Sequence, residues 1–115
     1  MPDESRLPEV IADLLVQLDG KYRTLLMIYG PGDAHLAVGG DATTGVVVYA
    51  TFDNLVFYQL VAPSDSSTDS VELVAGGQPG MYARRYVVPI EAAAGAAEAF
   101  ALRGELTADW DWEAG

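Results

Sequence analysis

The segment Gly45-Val46-Val47-Val48-Tyr49-Ala50-Thr51-Phe52-Asp53-Asn54-Leu55-Val56-Phe57-Tyr58-Gln59-Leu60-Val61 holds two runs of β-branched and aromatic residues on either side of an Asp-Asn pair. Such runs suit the pleated, half-buried surface of a strand, and Asp53-Asn54 can supply the positive φ of a tight hairpin. Strands are therefore expected at 46–52 and 55–61. Joined so closely, they must run antiparallel.

The same pattern extends outward in both directions. Runs at 22–29, 34–39, 70–75 and 81–88 read as further strands, which makes an antiparallel meander of about six. Gly30-Pro31-Gly32-Asp33 is a turn, and 41–45 is a short loop ending in glycine. Pro63-Ser64-Asp65-Ser66-Ser67-Thr68-Asp69 and Gly76-Gly77-Gln78-Pro79-Gly80 read as mobile loops at sheet edges.

Helical spacing appears only at the two ends. Leu7, Val10, Ile11, Leu14, Leu15 and Leu18 form an apolar stripe opposite Glu9, Asp13, Gln17 and Asp19. With Pro8 in the first turn and Gly20 past the end, this predicts a helix over 8–19. Near the other end Pro89 opens an alanine-rich helix with Ile90, Ala93, Ala97 and Phe100 or Ala101 on its buried stripe. Arg103 suits its last turn, and Gly104 ends it. Helix, strands, helix and a short tail imply one α+β domain, residues 1–115, with both helices on one face of the sheet.

Composition narrows the possible partners. Half of the 115 residues are hydrophobic, enough for a core, and 17 Asp and Glu against 6 Lys and Arg give a net charge of -11. That charge repels phosphate backbones and anionic lipid, so neither nucleic acid nor a membrane is an expected partner. It attracts basic proteins and speeds their encounter. The chain has no cysteine, and Met1-Pro2-Asp3-Glu4 lacks the basic start of a secretory signal. Cytoplasmic location is the default expectation.

Residues suited to catalysis are few. His35 is the only histidine and reads as a strand residue. Asp65 and Asp69 lack the glycine and terminal glutamate of an EF-hand loop, so neither a metal nor another cofactor is expected. Arg84 and Arg85, adjacent in a strand, would point to opposite faces. The tail Asp109-Trp110-Asp111-Trp112-Glu113 is the strongest candidate for a binding element. If extended, it sets Trp110 and Trp112 on one face and Asp109, Asp111 and Glu113 on the other. Either the indoles pack on the sheet, or an indole and its acidic neighbours meet a basic partner.

The C-terminal third also carries a resemblance. Val88-Pro89-Ile90-Glu91-Ala92-Ala93, Ala99-Phe100, Gly104-Glu105-Leu106 and Trp112 resemble the helix start, alanine-aromatic pair, glycine exit and terminal tryptophan of the Imm1 immunity-protein family. Upstream, Leu36-Ala37-Val38-Gly39-Gly40-Asp41 and Gly45-Val46-Val47-Val48-Tyr49 are similar to its first paired strands. Thr107 stands where that family commonly has proline, and the helix is richer in alanine. The resemblance implies a non-catalytic protein that neutralises a cognate bacterial toxin, chiefly a nucleic-acid deaminase. On that reading Asp65, Asp69, Glu72, Glu105, Asp109, Asp111 and Glu113 would fill the toxin's basic substrate path, with Trp110 and Trp112 beside them. The alternative is an acidic binding or regulatory domain, homodimeric through an exposed sheet edge. A third reading is a small enzyme using Asp33, His35 and Tyr49 or Tyr58, whose side chains would then have to converge.

Overall fold

The computed structural model describes residues 7–61, 70–107 and 110–114. The elements run α1 (Leu7–Leu15), β1 (Leu25–Tyr29), β2 (His35–Asp41), β3 (Gly45–Thr51), β4 (Phe57–Val61), β5 (Ser70–Ala75), β6 (Gln78–Ala83), α2 (Ile90–Arg103) and β7 (Asp111–Ala114). A five-stranded antiparallel sheet has the order β1-β2-β3-β4-β7, and β5 and β6 pair only with each other. The fold is α+β, as expected. The meander holds through its first four strands. The next two then leave it as a separate hairpin, and the tail strand takes the edge beside β4.

Register divides the sheet into two faces. Leu36 pairs with Ala50 and Val38 with Val48, and these four, together with Val46 and Leu60, are fully excluded from solvent. They meet Ile11, Leu15 and Leu18 from the N-terminal segment and Ala92, Ala93, Ala96, Ala97 and Phe100 from α2. Burying a leucine such as Leu60 contributes about 2 kcal/mol. The alanines let α2 approach both α1 and the sheet closely at almost no loss of side-chain entropy. At its end the Gly104 N–H donates to the Phe100 carbonyl at 2.9 Å, where glycine was expected to stop the helix.

Four local expectations give way to tertiary demands. The first helix ends at Leu15 rather than 19, because Gln17 and Leu18 close tighter i→i−3 bonds to Leu14 and Leu15. Leu18 is buried in the core, while Val10 and Leu14 on the helix are nearly half exposed. Strand β1 starts at Leu25 rather than 22. The preceding turn wraps around the Asp19 carboxylate, which accepts the N–H groups of Lys21, Tyr22 and Arg23 at 2.8–3.0 Å.

The third revision concerns Gly76-Gly77, which form a tight two-residue turn with φ of 61° and 78° instead of a mobile loop, so that β6 resumes at Gln78. Thr24 pins that turn: its carbonyl accepts from Gly76 at 3.2 Å and its hydroxyl from Gly77 at 2.8 Å. The fourth concerns Arg84 and Arg85, which lie in a 3-10 turn, Arg84–Tyr86, and not in a strand. The chain has to swing there from the hairpin back to the main sheet, where Val88 exchanges both backbone bonds with Val46 at 2.8 and 3.0 Å.

Candidate functional site

The tail is extended, and its faces alternate as the sequence implied. Leu60 pairs with Trp112 and Gln59 with Glu113. Both Trp110 and Trp112 are half-buried against the core, and the Trp112 indole N–H donates to the Thr107 carbonyl at 3.0 Å. Asp111 and Glu113 project from the other side.

Among the described residues the acidic candidates do not gather at one place. Glu113 accepts a hydrogen bond from the Tyr86 hydroxyl at 2.7 Å and pairs with Arg85 at 3.4 Å. That bond, followed by desolvation, holds the Tyr86 phenol pKa above its usual value. Glu105 pairs with Arg103 at 2.8 Å beyond the end of α2, and Glu72 is exposed on β5 opposite Met81. Asp65, Asp69 and Asp109 lie outside the described residues. Three other acids close turns. Asp19 and Asp53 are held below the usual carboxylate range chiefly by backbone N–H donors, from Arg23 and Val56 respectively, and Asp41 chiefly by the Thr43 hydroxyl.

Asp33, His35, Tyr49 and Tyr58 are divided between two faces. The His35 ring nitrogen lies 3.0 Å from the Asp33 carbonyl oxygen rather than its carboxylate. Tyr49 is 5.9 Å from the His35 ring, centroid to centroid, whereas Tyr58 sits on the helix-bearing side against Phe52. No family model, curated protein or solved structure matches this chain.

A feature that sequence reasoning missed lies on the face away from the helices. Tyr29, His35, Tyr49 and Phe57, one from each of β1 to β4, form a continuous row with ring centroids 5.8–6.5 Å apart. Tyr29 is 75% exposed, and Tyr49 and Phe57 are each 36% exposed. Beside the row the β5–β6 hairpin packs on β2, and between the two lies a groove of about 560 Å³. Tyr49, Phe57, Tyr82 and Tyr86 line it, with Gln59 and Glu113 supplying polar groups. At the Glu113 end, the Arg85 guanidinium lies 4.6 Å from the centre of the Tyr86 ring. The sequence did contain a signal for this surface. In Val46-Val47-Val48-Tyr49-Ala50 no position is polar, so both faces of that strand are apolar and each calls for a cover.

Proposed function

We propose that this chain is an immunity protein, which binds a basic bacterial toxin domain acting on nucleic acid, a deaminase by the resemblance, and blocks its substrate path. The observation that carries the reading is the net charge of -11. An enzyme that works on nucleic acid needs a positively charged channel to hold the phosphate backbone. An acidic protein competes for that channel, and its field accelerates the encounter. The resemblance of the C-terminal third to Imm1 proteins supports the same reading, and the protein would act in the cytoplasm. No helix among the described residues is long and apolar enough to cross a membrane.

The test is co-expression with the toxic domain encoded by the adjoining gene. Restored growth is expected, together with a stable complex on size exclusion. A toxin that still kills in the presence of soluble protein rejects the assignment.

A further inference from the structure

We propose that the open face of the sheet seats the toxin, and that the groove under the β5–β6 hairpin takes an arginine side chain from it, a proposal that rests on the immunity reading above. Aromatic side chains, tyrosine among them, are enriched at protein interfaces, and this face gathers four rings in one row. Its rings sit on paired strands of one sheet and are therefore positioned before binding, which limits the entropy lost on association. Tyrosine on such a scaffold is an effective anchor, and phenylalanine is enriched beside it at interfaces.

The chemistry of the occupant follows from the groove. Tyr49, Phe57, Tyr82 and Tyr86 line it among aliphatic residues and glycines, aromatic rings attract a cation, and Glu113 adds a carboxylate. A guanidinium already lies against two of the residues that line it: Arg85 sits over the Tyr86 ring and reaches Glu113. Arg85 is about half exposed, so it can swing out when a partner's arginine takes its place. A planar guanidinium stacks on tyrosine and binds a carboxylate together, which an ammonium does less well. The other obvious occupant is a second copy of the chain, and the charge argues against it. Two chains each carrying -11 repel, whereas a basic toxin is drawn in.

The experiment measures binding of the adjoining gene's toxin domain, in catalytically dead form, to the full chain by biolayer interferometry. Tyr29→Ala and Tyr49→Ala, both at exposed positions, should each weaken the complex by about tenfold or more. Glu113→Gln should weaken it, and Arg85→Ala should leave it unchanged or tighten it by removing the internal competitor. Circular dichroism and melting confirm that each variant is folded, and the largely exposed Tyr29 keeps the test valid if Tyr49→Ala is not. Binding of both tyrosine variants within twofold of the parent overturns the docking face and leaves the immunity reading intact. Weakening by Arg85→Ala overturns the arginine exchange. A parent chain that forms no complex removes the immunity reading and this proposal with it, and a dimer dispersed by Tyr29→Ala assigns the face to self-association instead.

Discussion

Thr51 is fully buried although it is polar, and its hydroxyl explains why. It donates to the Val56 carbonyl at 2.7 Å and accepts the Asn54 N–H at 3.0 Å, and so closes the loop between β3 and β4 from the inside. Thr51→Val keeps the shape and removes both bonds, which should cost about 1–2 kcal/mol of unfolding free energy in urea titration. A loss under about 0.3 kcal/mol would show that water replaces them. In the same loop Asp53 accepts N–H groups from Leu55 and Val56, which lowers its carboxyl pKa. A folded pKa below the unfolded one gives stability that is present above about pH 4 and lost as pH falls through the folded value. Asp19 and Asp41 are shifted in the same direction. The parent should therefore weaken steadily below pH 4, and Asp53→Ala should flatten that acid limb. Equal pH slopes in parent and variant would exclude the carboxylate as a source. Tyr86 carries the opposite sign: its raised pKa favours the neutral phenol, so its contribution persists below about pH 10 and fades above.

The second hairpin shows how one small residue positions an element. A side chain at Gly39 would place its Cβ 2.6 Å from the Cβ of Ala75, so β5 can lie on β2 only while position 39 is bare. Gly39→Ala should destabilise by about 1–3 kcal/mol, and adding Ala75→Gly should recover part of it. Amide exchange gives the location. The Gly76 and Gly77 amides, bonded to Thr24, should lose protection before the core strands do. Uniform loss across the sheet would mean that the hairpin does not open by itself. Legibility also differs between elements. The second helix could be read directly, since Pro89 and Gly104 bracket it and alanine fills it. The turn at Arg84–Tyr86 could not, because Tyr82, Ala83, Val87 and Val88 suit a strand and only the distant bridge to Val46 bends the chain there. The alternation of the tail was visible, but its pairing with β4 is a tertiary fact. The aromatic row was hidden for a similar reason: its four rings come from four strands, and only register aligns them.

At the scale of the whole molecule the -11 charge opposes folding and, with the basic partner proposed, would favour binding. The described chain spans about 43 × 29 × 24 Å. The screening length is about 30 Å at 0.01 M salt and about 8 Å at 0.15 M. At low salt, therefore, most carboxylates feel one another across the molecule, while near physiological salt only neighbours do. Self-repulsion opposes the compact state, so raising sodium chloride from about 0.01 to 0.5 M should raise the melting temperature. Over the same range the association rate with a basic partner should fall by an order of magnitude or more, because long-range steering is screened. Dissociation should change far less, since on the proposed docking face it would be governed by short-range aromatic contacts rather than by distant charge. Stopped-flow association and calorimetric melting on one set of buffers test both slopes together. A melting temperature that falls with salt would show that local ion pairs such as Arg103–Glu105 outweigh the overall repulsion. An association rate indifferent to salt would remove the anionic surface from recognition and leave the rings of the open face to account for affinity alone.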